Sequence, residues 1–193
     1  PNDALTTQAE ELLLIGTSMG GARPKAVVEA DEALWVAKFN TTSDRWNNAR
    51  VEHAMLQLAA ACGLEVATSR VDTIGDRDVL LVKRFDRQRT ANGYRRARML
   101  SALTLLRAGD SIRDRERWSY PLLADELRRW SVKPAEDRRE LYRRMVFNAM
   151  VTNNDDHPRN HALLHTTAGW RLSPAYDILP VAIRSGTYGN NYL

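Results

Sequence analysis

Asn153-Asn154-Asp155-Asp156-His157-Pro158-Arg159-Asn160 is the stretch on which the reading of this chain turns. It holds no Leu, Ile, Val, Met or Phe, so it has no apolar face to bury and reads as a loop. A simple turn would not need eight such residues. Asp155 and Asn160 stand five positions apart. A carboxylate placed there can accept a hydroxyl proton, and an amide oxygen near it is a hard ligand for Mg2+ held against phosphate. The plain alternative is a polar surface loop.

Downstream, residues 161–165 and 170–176 read as a hairpin around Thr166-Thr167-Ala168-Gly169. It leads into Ser173-Pro174-Ala175-Tyr176-Asp177. A lone acid between apolar flanks and prolines is either a cap or a ligand. Beyond a hairpin that returns the chain towards Asp155 and Asn160, ligation is the reading preferred for Asp177. Upstream, helices are expected near 99–107, 119–131 and 135–152, preceded by a polar linker over Asp86–Arg95.

The first half reads differently. Strands are expected over 25–30, 33–39, 65–74 and 77–85. The last is nearly all apolar at its centre, as a strand buried on both faces would be. One helix is expected over 47–62, from the spacing of Val51, Met55, Leu58 and Cys62 and the cap position of Gly63. In the second strand Trp35, Ala37 and Phe39 alternate with Val36 and Lys38, so Lys38 points away from the face holding those three. A mid-strand lysine must reach solvent or find a charge. Glu52, on the following helix, is the natural partner for it. Ahead of these strands, Gly16, Gly20 and Gly21 let the backbone of 16–25 approach a phosphate closely. No Gly-Lys-Ser/Thr follows, so this is not a Walker A loop, and a flexible turn is the alternative.

Composition narrows the classes. The 193 residues are 44% hydrophobic and 27% charged, which is ordinary for a globular chain. The net charge of +4 comes from arginines in Arg84–Arg98 and Arg107–Arg144. Acids are interleaved with them, which suits a solvated helix surface better than a nucleic-acid groove. Direct nucleic-acid binding is therefore not expected. No stretch approaches the roughly 18 apolar residues of a membrane helix. The chain opens at Pro1 without a recognisable leader, and Cys62 is its single cysteine. A cytoplasmic location is expected.

A β-rich half with one helix, a connector, and a helical half follow the two-lobed kinase plan, an α+β fold with nucleotide held between lobes. The expected division is residues 1–86 as N-lobe and 87–193 as C-lobe. The Asp-to-Asn interval of five is that of the kinase catalytic loop. Four segments, Gly20–Lys25, Lys83–Arg87, Asn153–Asn160 and Ser173–Asp177, resemble the motifs of HipA-type bacterial serine/threonine kinases, in that family's order. The resemblance implies ATP and Mg2+. It implies that Gly20, Gly21, Ala22, Arg23, Pro24 and Lys25 wrap the phosphates and that Lys38 contacts them. Lys83, Arg84 and Phe85 would be the hinge holding adenine. Asp155 would be the catalytic base. His157, Pro158, Arg159, Asn160, Tyr176 and Asp177 would line the nucleotide site, with Asn160 and Asp177 on the metal. Family members autophosphorylate on a serine of the glycine-rich loop, where Ser18 stands with Thr17 beside it. They act as toxins on protein substrates such as aminoacyl-tRNA synthetases, restrained by a DNA-binding antitoxin.

Two departures qualify the resemblance. The usual member carries an N-terminal subdomain before the loop and further helices after the Mg2+ aspartate. Asp156 is an extra carboxylate, expected to face solvent or to raise the pKa of Asp155. A nucleotide-binding but catalytically impaired scaffold acting through a partner is the alternative function. A metal-dependent hydrolase built from Asp155, Asp156, His157, His161 and His165 is another, against which Pro158 argues by breaking a continuous helix.

Overall fold

The computed structural model describes residues 23–180. They fall into two compact units. One takes the described part of Pro1–Leu58 with Ala67–Arg96, the other Ala59–Val66 with the described part of Ala97–Leu193.

The first unit is built on an antiparallel sheet, with β1 (Lys25–Ala30), β2 (Ala33–Phe39), β3 (Ser69–Ile74) and β4 (Arg77–Lys83) in the order β1-β2-β4-β3. β1 and β2 are joined by Asp31 and Glu32, both at positive φ (49° and 55°). That is the backbone of a two-residue hairpin whose twist matches its strands. Alternation then does what the sequence predicts. Trp35, Ala37 and Phe39 are buried with Val28, Val79 and Leu81, while Val36 and Lys38 lie on the other face. The Trp35 indole donates to the Ala30 carbonyl at 3.0 Å, so its buried N–H is satisfied. β4 buries Val79, Leu80, Leu81 and Val82 in succession, as its apolar run requires. Helix α1 (Asn48–Ala61) begins where the Asn47 side chain accepts the Arg50 N–H at 3.1 Å. It stops at Gly63, whose φ of 77° suits a residue without Cβ.

The stretch expected to be a linker is instead a hairpin, β5 (Arg87–Thr90) with β6 (Gly93–Arg96). Its strands are largely exposed and arginine-rich, so they carry no apolar period.

The second unit holds a three-stranded sheet, β7 (Met99–Ser101), β8 (Ala162–Thr166) and β9 (Gly169–Leu172), ordered β7-β8-β9. Where a helix over 99–107 is expected, residues 99–101 pair with β8 and only one helical turn follows, α2 (Ala102–Leu105). Ser101 caps it by accepting the Thr104 N–H at 3.2 Å. A 3₁₀ turn spans Ile112–Arg117. Helices α3 (Tyr120–Trp130) and α4 (Pro134–Met150) each carry a proline in the first turn, where a missing N–H costs nothing. Ala102, Leu106, Leu123, Leu127, Leu141, Leu163 and Leu172 form the core.

Buried charge ties this unit together. Asp137 of α4, 2% exposed, accepts two side-chain N–H groups of Arg171, the Ser131 hydroxyl (2.5 Å) and the Leu172 N–H (2.9 Å). Burial alone would raise its pKa, yet these donors hold it below the ordinary carboxylate value. Arg144, equally buried, bonds Glu140 Oε1 at 2.9 Å and the Glu65 carbonyl at 3.2 Å. Among the described residues no helix is long and apolar enough to cross a membrane.

Candidate active site

The loop from Asn153 to Asn160 is fixed at both ends by its own amides. The Asn153 N–H and side chain bond the Asn148 carbonyl (2.9 Å) and side-chain oxygen (3.2 Å) at the end of α4. Pro158–Asn160 makes a 3₁₀ turn, and the Asn160 side-chain NH2 reaches back to the Asp155 carbonyl at 2.9 Å. That bond spends the amide nitrogen of Asn160, so its side-chain oxygen is the end available to a cation. Asp155 itself is turned outwards, its side chain 74% exposed, with His157 Nε2 3.9 Å away. The His157 ring stands edge-on to Trp118, centroids 6.3 Å apart. Pro158 is buried. Arg159 is exposed, pairs with Asp110, and gives its carbonyl to the Tyr176 hydroxyl at 2.8 Å.

Of the two alternatives expected for Asp156, exposure to solvent is not what the structure shows. Asp156 turns inwards, where one carboxylate oxygen accepts the Tyr120 hydroxyl and the other lies 2.8 Å from His161 Nε2. Burial works to raise its pKa, but the bonds from His161 and Tyr120 outweigh it and hold the carboxyl below the usual range. Burial, and then the charge of Asp156, push the Tyr120 hydroxyl far above its ordinary value. So two interleaved pairs, each five apart, organise the loop. Asp155 faces outwards above a buried Asn160, and Asp156 with His161 faces inwards.

Asp177 adopts a left-handed φ of 61°, which an aspartate tolerates better than most residues. It lines one cleft with Asn160, Tyr176, Asn148 and Arg144. Two oxygen-bearing side chains on one cleft are the donor chemistry that Mg2+ takes. The hydrolase alternative loses its ligands by geometry. His161 is committed to Asp156, and His165 packs edge-on against Trp170 at 5.0 Å. Among the described residues no three of His, Cys, Asp and Glu converge on one point.

In the first unit Lys38 Nζ meets Glu52 Oε1 at 2.6 Å, and the Glu52 side chain is 7% exposed. Lys25 lies directly opposite Lys38 across β1 and β2. Lys25 thus adds a second cation beside the Lys38–Glu52 pair. Arg23 bonds Asp44 at 2.7 Å, and the Pro24 carbonyl accepts the Phe39 N–H at 3.2 Å. Gly20, Gly21, Ala22, Thr17 and Ser18 lie outside the described residues. In the segment expected as a hinge the Lys83 and Arg84 N–H groups bond the Thr68 and Leu34 carbonyls, both at 2.8 Å, so neither donates to a ligand. The Arg84 side chain forks onto Asp86 at 3.0 and 2.8 Å.

A strand-rich unit with a lysine–glutamate pair and a helical unit with an Asp–Asn loop define the protein-kinase-like class of fold. Residues 17–191 match the HipA-like C-terminal domain, and the chain belongs to that family. It is 31% identical over 155 residues to “Putative kinase Y4mE” of Sinorhizobium fredii, covering 75% of this chain and 34% of that protein. HipA of Shewanella oneidensis, solved as a toxin–antitoxin complex with HipB and its operator DNA, superposes with a TM-score of 0.65 at 20% identity. That match covers 85% of this chain and 44% of HipA. The Helicobacter pylori proinflammatory kinase CtkA gives 0.62 at 17% identity, covering 84% of this chain and 54% of CtkA. The chain thus spans a third to a half of the length of these relatives.

The sequence reading overlooked Tyr120 and His161 as parts of the loop's support. The signal was available in the repeated interval, since His161 follows Asp156 as Asn160 follows Asp155.

Proposed function

We propose that this chain is the catalytic core of a serine/threonine protein kinase that transfers the γ-phosphate of ATP to a protein hydroxyl. The observation that carries the proposal is the outward Asp155, exposed on a loop whose backbone is fastened by Asn160. In this reading Asp155 accepts the proton of the attacking hydroxyl. Lys38, oriented by Glu52, contacts the phosphates beside Lys25. The remaining backbone of the hinge at Lys83–Phe85 recognises adenine. Asn160 and Asp177 supply oxygen ligands that fit Mg2+, which would neutralise phosphate charge when bound.

The glycine-rich loop then carries a regulatory serine. Phosphate on Ser18 would add about −1.5 to −2 charges and repel the nucleotide. The toxin role, an aminoacyl-tRNA synthetase or other protein as substrate, and restraint by a DNA-binding antitoxin follow from kinship with the HipA family. The test is transfer from labelled ATP with Mg2+, with phosphosites mapped by mass spectrometry. Label at Ser18 or Thr17 that falls about 10²- to 10⁴-fold in Asp155→Ala is the expected result. ATP binding without transfer would favour the scaffold instead. Neither binding nor transfer would end the kinase reading.

A further inference from the structure

We propose that Asp156 is the positioning residue of the catalytic loop, acting with Tyr120 and His161 to hold Asp155 in its outward pose; this rests on the kinase reading for its consequence in catalysis. Three observations carry it. The carboxylate is bonded on both oxygens, to the first turn of α3 through Tyr120 and to the residue before β8 through His161. The partners are themselves held. The Tyr120 ring stands edge-on to His161, centroids 5.5 Å apart, and the Asn148 side chain reaches the Tyr120 hydroxyl at 3.5 Å. The His161 carbonyl accepts the Ala102 N–H at 2.8 Å, fastening it to α2. Finally, Asp156 is the immediate neighbour of Asp155. An anchor at one peptide fixes the direction of the next, whereas Asn160 holds only the Asp155 carbonyl.

The two adjacent acids therefore divide the work. Asp155 is left to face a substrate, and Asp156 supplies the rigidity that a base needs. A misplacement of about 1 Å costs a reaction roughly 10²-fold, so a residue that touches no substrate can still govern turnover.

The test compares Asp156→Ala, Asp156→Asn and Tyr120→Phe by hydrogen–deuterium exchange over 153–161 and by phosphoryl-transfer kinetics. Asp156→Ala should speed exchange in that segment about tenfold or more while leaving β1–β4 unchanged. Its kcat should fall about 10²-fold with KM for ATP within about twofold. Asp156→Asn keeps an oxygen for Tyr120 and an amide for the acceptor tautomer of His161, so it should recover about tenfold of that loss. Tyr120→Phe keeps the ring and should lose only several-fold. Combined with Asp156→Ala it should add nothing, because both act through one bond. Unchanged exchange at 153–161 in Asp156→Ala overturns the proposal, as does a kcat loss fully explained by a smaller folded fraction. If the wild-type protein transfers no phosphate, the kinase reading fails, and the exchange result alone decides whether Asp156 anchors the loop.

Discussion

In the first unit the main buried cluster is hydrocarbon throughout, apart from the Trp35 indole N–H, and the buried polar side chains among its described residues are Asn48, Glu52 and Ser69. In the second, Asp137, Arg144, Asn148, Asn153, Asn160 and His161 are all buried among the described residues. The two units thus hold their candidate functional groups by different means. A sheet positions Lys38 by alternation, with one ion pair to Glu52. A loop has no such ladder, so the second unit fastens the loop that carries Asp155 with hydrogen bonds of Asn153, Asp156 and Asn160. Such networks cost desolvation and become costly when half broken.

The comparison breaks most sharply at Asp137. Asp137→Ala should destabilise the second unit by about 3–5 kcal/mol, because Arg171 and the Leu172 N–H lose their acceptor. Urea titration followed by amide exchange, resolved by unit, is the measurement. An equal loss of protection in β1–β4 would mean that the units do not unfold separately. The counterpart is Leu81→Ala, a cavity in hydrocarbon, expected to cost about 2–5 kcal/mol in the first unit.

Acid should sharpen the contrast. Asp137 and Asp156 have folded pKa values below their unfolded ones. Their contribution is therefore present above the unfolded carboxylate value of about 3.9 and is lost as pH falls through the depressed values. In the first unit Asp44 and Asp78 are also depressed, chiefly by Arg23 and Arg50, Asp78 to about 2. Arg50 there is exposed, so added salt should weaken the acid sensitivity of the Asp78 site more than that of the buried network. Equal responses to salt would undo the distinction.

What the sequence disclosed follows the same line. The limits of β1 and β2, the buried run of β4, the cap at Gly63 and the Lys38–Glu52 pair are all local or periodic, and a period can be read without coordinates. The hairpin over 87–96 was missed because exposed, arginine-rich strands have no period to read. The start at 99 looked helical because β7 is three residues long and its partner lies beyond residue 160. The inward turn of Asp156 is not legible in sequence because its orientation depends on Tyr120, 36 positions earlier. Asp137 and Arg171, 34 apart, are equally invisible to spacing. Polar residues that serve the core look, in sequence, like polar residues that serve the surface.

The smallest effect is expected in the β5–β6 hairpin. Arg89 pairs with Glu29 at 2.9 Å, with both side chains about half exposed (48% and 49%). The Tyr94 hydroxyl donates to the same Glu29 oxygen at 2.9 Å, and the Arg89 guanidinium lies 5.2 Å from the Tyr94 ring centre. By the ordinary worth of an exposed pair, Arg89→Ala should cost no more than about 0.5 kcal/mol, measured by urea titration. Glu29→Ala removes the acceptor shared by Arg89 and Tyr94 and should cost little more, because water replaces it at both donors. A loss above about 1.5 kcal/mol in Glu29→Ala would show the three side chains acting as one network. The first unit would then also depend on a polar cluster, one placed on its surface.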